Sequence, residues 1–169
     1  MLGRMIRRAW LAPFAVLIVA GLGTAGWFAE GGAPQITGYA WVIDGDSLKV
    51  AGTEIRIYGI DAPEYRQTCL RGGHPWACGI DATHAMRAMI RGRRVACRAR
   101  EQDRYGRTVA VCTVGGVDLG AEMVKSGHAV AYGAYAADER EARDARRGIW
   151  SSSFERPAAW RAKHPRNPR

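Results

Sequence analysis

The sequence predicts an α+β protein built around a small β-barrel, and three observations support this fold class. The stretch "ITGYAWVIDGDSLKVAGTEIRIYGI", residues 36–60, breaks apolar and β-branched runs with Asp-Gly and Ala-Gly steps, which is typical of short strands joined by tight turns. The patterns of helical period come later in the chain. They do not alternate regularly with strands, as repeating βαβ units would.

A helix, a second hairpin and two further helices follow the meander. "CGIDATHAMRAMIRG" has a helical period, and Gly92 is a suitable stop. "RRVACRARE" and "RTVAVCTV" alternate apolar with polar or small residues on either side of Asp103–Gly106, which predicts a hairpin. "VDLGAEMVKSG" predicts a short helix that ends at Gly127. "AADEREARDARRGIW" predicts a charged helix, which pairs such as Glu139 with Arg143 stabilise modestly.

The chain divides into four regions. Residues 1–30 form an apolar N-terminal segment, and the Gly- and Pro-containing stretch 31–36 predicts a linker. Residues 37–155 hold the predicted barrel domain. Residues 156–169 are rich in proline and arginine, which predicts a loosely ordered basic tail.

The composition of the N-terminal segment predicts a transmembrane or signal-peptide helix. Arg4, Arg7 and Arg8 precede an uncharged stretch, residues 9–29, that is long enough to span a bilayer. Arginines before such a stretch favour a cytoplasmic N-terminus, so the domain would lie outside the cytoplasmic membrane, in the cell envelope or secreted. Small residues at positions 23–25 also permit cleavage as a signal peptide. The length of the apolar stretch favours an uncleaved signal anchor.

The four cysteines indicate an oxidising compartment, and they contain no C-x-x-C pair. Cys97 and Cys112 flank the predicted turn almost symmetrically and would lie opposite each other in the hairpin, which leaves Cys69 with Cys78. A zinc site from Cys69, His74 and Cys78 is the alternative, but it lacks a convincing fourth ligand. Two disulfides, Cys69–Cys78 and Cys97–Cys112, are the prediction.

The net charge is +9, from 25 Lys and Arg against 16 Asp and Glu. A surplus of this size favours polyanionic partners, such as nucleic acid or an anionic membrane face. Basic surfaces also serve solubility, so the charge alone does not choose a partner.

Four short polar pieces stand out from their apolar surroundings. They are "DGDS" at residues 44–47, Arg56 within "RIYGIDAPE", "DAPE" at residues 61–64, and "DRYGR" at residues 103–107. The first and third lie at the ends of neighbouring strands, so their carboxylates can converge. Clustered carboxylates repel each other unless a cation lies between them, and Ca²⁺ prefers oxygen ligands. Arginines beside such a site would bind phosphate oxygens.

Each piece also has a purely structural explanation. Asp44-Gly45 is a common turn signal, and Asp61 can cap a turn. Arg56 can extend its charged end from an edge strand into water. These separate explanations do not account for all four pieces arriving in this order.

That order resembles the staphylococcal nuclease-like (thermonuclease) family. The family pattern runs D-G-D-[ST], R-x-x-x-x-D-[AT]-P-E and D-x-Y-G-R, and it finishes near a helix ending in I-W. The sequence matches each block with "DGDS", "RIYGIDAPE", "DRYGR" and "RRGIW". The resemblance runs from about Tyr39 to Trp150, about two-thirds of the chain.

The resemblance implies a five-stranded OB-type β-barrel with about three helices, in agreement with the α+β barrel above. It also implies Ca²⁺-dependent hydrolysis of phosphodiester bonds in DNA or RNA. Carried over by motif, the metal ligands would be Asp46, Asp61 and the main-chain carbonyl of Ala62, with Asp44 just behind them.

The same resemblance assigns roles on the substrate side. Glu64 would be the general base acting on water, and Arg56 and Arg107 would bind the phosphate and stabilise charge that develops on it. Tyr105 would help to hold a phosphate. Tyr132, in the approximate match "YGAY", would contact the substrate.

The loop after Glu64 departs from the family. "YRQTCLRGGHPWACG" stands where the family can carry a flexible lysine-rich turn, which bears on loop mobility and substrate preference. A rival to the nuclease is a catalytically weak nucleic-acid-binding module on the same barrel. The intact acids and arginines favour the nuclease, with DNA or RNA as partner. A monomeric domain is expected, attached to the membrane if the N-terminal segment is uncleaved.

Overall fold

The computed structural model describes residues 34–165, and this part of the chain contains ten short strands, four α-helices and one 3₁₀ helix. The strands are β1 Gln35–Val42, β2 Ser47–Val50, β3 Thr53–Ile57, β4 Ile60–Asp61, β5 Cys69–Arg71, β6 His74–Trp76, β7 Arg94–Gln102, β8 Thr108–Val114, β9 Val117–Asp118 and β10 Val130–Ala131. The helices are α1 Cys78–Ile90, α2 Leu119–Lys125, α3 Ala136–Asp144 and α4 Pro157–Lys163, and the 3₁₀ helix is Gly148–Ser151.

Five of the strands close into a barrel in the order β1, β2, β3, β8 and β7. Four of the five pairings are antiparallel, and the parallel pairing of β3 with β8 closes the ring. The register of that closure places Ile55 beside Thr108 and Arg56 beside Val109. The barrel therefore brings the meander and the second hairpin together, which the sequence predicts as separate units.

One apolar core fills the barrel and continues under the helices. Leu48, Ile55 and Val95 from the strands are completely buried. Met86 from α1 and Met123 from α2 cover the barrel and belong to the same cluster. The predicted fold class, an α+β protein with a five-stranded barrel, is confirmed. The described residues hold four helices where about three are predicted.

The predicted helices and the second hairpin lie where the sequence places them. Helix α1 stops at Ile90, two residues before Gly92, whose φ of 67° is in the left-handed region that favours glycine. Helix α2 begins after Asp118, whose carboxylate accepts hydrogen bonds from the N–H groups of Gly120 and Ala121. The charged helix α3 ends at Asp144, and the "GIW" sequence that follows it begins a separate 3₁₀ helix.

The prediction of a loosely ordered tail from Arg156 is wrong for its first part. Pro157–Lys163 forms helix α4, with proline in the first turn, where the absence of an N–H costs nothing. The segment before it is bound to the domain: Leu70 and Ser153 exchange main-chain hydrogen bonds of 2.8 Å. Trp150 and Phe154 pack on a second apolar cluster with Cys69 and other buried residues. Tertiary contacts therefore order a segment whose composition alone is typical of a tail.

The N-terminal prediction cannot be compared with these elements. The predicted anchor or signal peptide, residues 1–30, lies outside the described residues, and so do residues 31–33 of the predicted linker. Strand β1 begins at Gln35. Within residues 34–165, no helix combines the length and the apolar character needed to cross a membrane.

Both predicted disulfides are present, and together they use all four cysteines. Cys97 and Cys112 are cross-strand partners in the β7–β8 hairpin, with 4.0 Å between their Cα atoms. Cys69–Cys78 joins β5 to the first residue of α1, with 5.8 Å between the Cα atoms. The zinc alternative is therefore wrong, because both sulfurs it needs are bonded to each other.

Replacing Cys97 and Cys112 together by alanine should destabilise the domain by about 3 kcal/mol, because the bond closes a chain separation of 15 residues in the unfolded state. Urea unfolding followed by circular dichroism measures the loss. Replacing Cys69 and Cys78, which close a separation of 9 residues, should cost less. Equal unfolding midpoints for the Cys97/Cys112 variant and the wild type would contradict this expectation.

Candidate active site

The turn between β1 and β2 holds Asp46 in a buried position. The N–H of Ile43 donates to the carbonyl of Ser47 at 2.9 Å, and the N–H of Asp46 donates to the Asp44 carboxylate at 3.2 Å. Gly45 leaves room for this turn, because a Cβ there would lie 2.7 Å from the Cβ of Ala62. The glycine therefore permits close packing of the turn against the segment that carries Asp61.

Strand β3 presents Arg56 to the same place. Ile55 and Ile57 point into the barrel and are buried, so Arg56 between them points to the other face of the strand. The N–H of Ile57 donates to the carbonyl of Asp46 at 2.8 Å, which fixes the turn to the strand. Because side chains alternate between the two faces of β3, a strand whose isoleucines pack in the core places the Arg56 guanidinium in a polar site.

Strand β4 brings Asp61 to Asp46. It pairs with β10, where Asp61 lies opposite Val130. The next residue, Ala62, donates its N–H to Oδ2 of Asp46 at 2.8 Å. Asp46 and Asp61 are 4% and 3% exposed, so two carboxylates are buried side by side.

Arg56 bridges the two buried carboxylates. Its Nη1 lies 2.6 Å from Oδ1 of Asp46, and its Nη2 lies 3.0 Å from Oδ1 of Asp61. Nη2 also donates to the carbonyl of Ile60 at 3.3 Å. Two buried charges of the same sign repel each other strongly in a medium of low dielectric constant, so this shared cation stabilises the pair.

One arginine does not fully compensate the cluster. Burial raises the pKa of Asp46 to about 7, and the charge of Asp44 adds to the rise, while Arg56 and the Ala62 N–H oppose it. The charge of Asp61 contributes a smaller increase. A raised pKa means that the cluster favours an additional positive charge, which can be a proton or another cation.

Glu64 lies next to the pair on a turn held by Gln67. The side-chain oxygen of Gln67 accepts from the N–H of Glu64 at 3.2 Å, and the N–H of Gln67 donates back to the Glu64 carbonyl at 2.7 Å. Helix α1 packs directly on this turn, since a Cβ at Gly79 would overlap the Glu64 carbonyl oxygen. The Glu64 side chain is only 12% exposed.

A second arginine completes the cluster from the C-terminal helix. Nη1 of Arg161 lies 2.8 Å from Oδ1 of Asp61 and 3.0 Å from Oε1 of Glu64. Its Nη2 donates to Oδ2 of Asp61 at 3.1 Å. The Arg161 side chain, 37% exposed, therefore joins the predicted metal ligand Asp61 to the predicted base Glu64.

The predicted residue Arg107 is positioned by its own hairpin. Its Nε and Nη2 both lie 2.8 Å from Oδ2 of Asp103. Burial opposes a low pKa at Asp103, but hydrogen bonds from Arg107 and Tyr105 outweigh it and lower the pKa of that carboxyl. Arg107 directly precedes Thr108, which pairs with Ile55, so the barrel closure brings the end of this hairpin to β3. Within the described residues, the side chain of Arg107 contacts Asp103 and Tyr105 of this hairpin and not Asp46, Asp61 or Glu64.

The two predicted substrate tyrosines are exposed. Tyr105 is 70% exposed, and the Arg107 guanidinium lies 5.7 Å from its ring centroid. Tyr132 is 71% exposed and follows β10, where its N–H donates to the carbonyl of Gly59 at 2.8 Å. Tyr135 is structural instead: its hydroxyl donates to the Asp118 carboxylate at 2.9 Å.

The oxygen atoms of Asp46, Asp61 and Ala62 are of the type that a hard divalent cation prefers, but they do not form a complete coordination shell. Among residues 34–165, no three acidic, histidine or cysteine side chains are arranged to hold a metal ion. Two buried carboxylates are present, and a cationic side chain, Arg161, already binds Asp61 together with Glu64. Calcium takes its ligands from carboxylates, main-chain carbonyls and water, so Asp46, Asp61 and the Ala62 carbonyl could supply part of its coordination shell.

Comparison with known proteins decides the family. A family model described as "Staphylococcal nuclease homologue" matches residues 54–152. The chain belongs to the staphylococcal nuclease family. Its sequence is 35% identical over 139 residues to "Succinoglycan biosynthesis protein ExoI" of Rhizobium meliloti, which covers 78% of this chain and 73% of that protein.

Relatives within the family include proteins named as nucleases. "Probable staphylococcal-like nuclease CAN1" of rice is 32% identical over 124 residues, which is 69% of this chain and 35% of that protein. "Probable endonuclease LCL3" of Schizophyllum commune is 31% identical over 141 residues, which is 69% of this chain and 47% of that protein. The chain thus spans less than half the length of these two relatives.

The structure brings most of the predicted family residues into one cluster. Hydrogen bonds connect six of these residues, the last of them through Arg161: Asp44, Asp46, Arg56, Asp61, Ala62 and Glu64. Sequence reasoning missed Gln67 and Arg161. Gln67 carries no signal in the sequence, and Arg161 lies in a stretch whose composition is typical of a tail.

The raised pKa of Asp46 predicts a pH-dependent stability. Between its ordinary value of 3.8 and about 7, the folded protein holds a proton that the unfolded chain releases, so stability falls as the pH rises through this window. Asp46→Asn should remove this slope. Between pH 5 and pH 8, in chelator, the wild type should lose roughly 2 kcal/mol of stability relative to the variant.

Urea unfolding at both pH values measures this difference. Asp144→Asn, at an exposed position on α3, is the matched control and should leave the pH slope of the wild type intact. Parallel stability profiles for the wild type and Asp46→Asn would show that Asp46 does not titrate in this window.

Proposed function

We propose that the chain is a nuclease that hydrolyses phosphodiester bonds of DNA or RNA with the help of Ca²⁺. The single observation that carries the proposal is the pair of buried carboxylates, Asp46 and Asp61, bridged by Arg56 with Glu64 beside them. Membership of the staphylococcal nuclease family and relatives named as nucleases support it. The net charge of +9 suits a polyanionic substrate.

The roles of the residues follow from their positions. Asp46 and Asp61 would hold the cation, which when bound supplies positive charge beside the phosphate. Glu64, partly buried at the edge of the pair, would accept a proton from the attacking water. The Gln67 turn and Gly79 fix the main chain of Glu64, and its carboxylate shares Nη1 of Arg161 with Asp61.

The arginines would bind the phosphate and the charge that develops on it. The ion pair with Asp103 uses Nε and Nη2 of Arg107, so the guanidinium is oriented and its Nη1 is left for a phosphate. Three hydrogen bonds of Arg56 go to Asp46, Asp61 and Ile60, and its other N–H groups could reach a phosphate oxygen. Such charge-assisted bonds stabilise a transition state more than the ground state when the donors are already oriented.

The binding-module alternative has one specific observation in its favour. Arg161 binds both Asp61 and Glu64, so a permanently closed cluster would bind nucleic acid through the basic surface without cleaving it. Cleavage assays separate the two functions.

The purified chain should cleave single-stranded DNA in Ca²⁺ and lose this activity in EGTA. A fluorescent oligonucleotide resolved on a denaturing gel measures it. Restoring Ca²⁺ in excess should restore cleavage, which controls for irreversible damage by the chelator. Equal cleavage with and without EGTA would refute the metal requirement, and binding without cleavage under all conditions would establish the binding module.

Glu64→Gln should reduce the cleavage rate by about 10²–10⁴-fold, because general base catalysis is lost while the shape of the side chain is kept. DNA binding, measured by fluorescence anisotropy, should change little. Glu54→Gln is the matched control, since Glu54 is an exposed glutamate on β3, the strand that carries Arg56. A Glu64→Gln variant that cleaves at the wild-type rate would place the base elsewhere.

A further inference from the structure

Helix α4 carries one side chain into the acidic cluster. Nη1 of Arg161 lies between Asp61 and Glu64, at 2.8 and 3.0 Å, and Nη2 bonds the second oxygen of Asp61 at 3.1 Å. Asp61 is almost completely buried, and 37% of the arginine side chain is exposed. A bidentate contact to a buried carboxylate is stronger and more directional than an exposed ion pair.

The segment before α4 is bound to the domain, so the position of Arg161 is held by further contacts. The side chain of Gln67, whose oxygen holds Glu64, donates through its nitrogen to the carbonyl of Glu155 at 2.6 Å. Leu70 and Ser153 form a main-chain bridge two residues earlier in that segment. One glutamine therefore connects the Glu64 turn to the segment that leads into the helix of Arg161.

The electrostatics of Arg161 agree with its position. Burial alone would lower the pKa of the guanidinium, but its hydrogen bonds and charge interactions with Asp61 and Glu64 outweigh burial and raise that pKa above its ordinary value. The arginine is thus a permanent positive charge at the carboxylates that would attract a divalent cation.

We propose that Arg161 is a built-in counter-cation of the acidic cluster: it neutralises the proposed Ca²⁺ ligand Asp61 together with the neighbouring Glu64, and Ca²⁺ must displace it from Asp61 in order to bind. The inference rests on the proposed function, because it concerns the same site. Displacement of a cation that is already hydrogen-bonded weakens the apparent affinity for the incoming one. Helix α4 therefore sets the Ca²⁺ concentration at which the site fills.

The exposure of Arg161 suits such a displacement. The guanidinium can leave the cluster towards solvent while the backbone of α4 stays in place, since a long side chain pivots on its flexible stem. Arg56 is different, because it is 19% exposed and bonds Asp46, Asp61 and Ile60 from within the fold. Arg161 is thus the displaceable cation of the two.

Isothermal titration of the purified full-length chain with CaCl₂ tests the inference. Arg161→Gln should bind Ca²⁺ with a Kd at least about tenfold lower than the wild type. Lys163→Gln removes the same charge from the same helix, but Lys163 pairs with Glu155. The Kd of that control should stay within about twofold of the wild type.

A second measurement separates competition from a simple structural ion pair. Thermal unfolding of Arg161→Gln should show a loss of stability in EGTA that excess CaCl₂ largely removes, because Ca²⁺ then takes the vacated place. A structural ion pair would cost the same stability in both solutions. If Arg161→Gln does not fold, Arg161→Lys serves: it keeps the charge without the bidentate geometry, and its Kd should fall below that of the wild type.

Each outcome bears on the inference. An equal or higher Kd for Arg161→Gln, or the same decrease for Lys163→Gln, overturns it, and so does a site that binds no Ca²⁺ in either protein. Failure of the proposed function is a separate observation, namely that the wild type does not cleave nucleic acid in Ca²⁺. A wild type that cleaves, with an Arg161 variant whose Ca²⁺ affinity is unchanged, refutes the counter-cation alone.

Discussion

The salt bridge from Arg56 to Asp46 and Asp61 is the interaction on which the rest of the site depends. The two carboxylates are buried, and they come from segments that only the barrel brings together. Without a shared cation, two like charges would lie unpaired at low dielectric constant, which costs several kcal/mol. The bridge therefore ties the chemistry of the site to the closure of the fold.

The balance of charge explains the neighbouring features. Arg56 lowers the pKa of Asp46, but burial and the charge of Asp44 raise it further, and Arg161 supplies a second cation at Asp61 and Glu64. An acidic cluster with too little positive charge suits an enzyme that depends on a cation. The uncompensated negative charge that lowers stability also favours the binding of a cation. In the proposed nuclease, α4 would thus moderate the affinity of the site it covers.

Much of the fold could be predicted from the sequence because its signals are local. Tight turns between β-branched runs predicted the meander, and the spacing of Cys97 and Cys112 about the Asp103 turn predicted their disulfide. The family motifs predicted which acids and arginines form the site, since the D-G-D-S and D-A-P-E pieces occur in the order of the family pattern. Helix α4 escaped prediction because Pro157 and the nearby arginines resemble a solvated tail, and its order comes from contacts with residues such as Leu70 and Gln67.

The sequence by itself determined the strand meander, the second hairpin, helices α1 to α3, the cysteine pairs and the membership of Asp46, Arg56, Asp61 and Glu64 in one motif set. Each of these depends on residues close in the chain or on a recognisable order. Only the tertiary structure decided that Arg56 is shared by both buried acids and that Arg107 is held by Asp103. It also decided that Arg161 reaches Asp61 across 100 residues of sequence. Such contacts depend on how the barrel closes and on what packs against it, and no local pattern records that geometry.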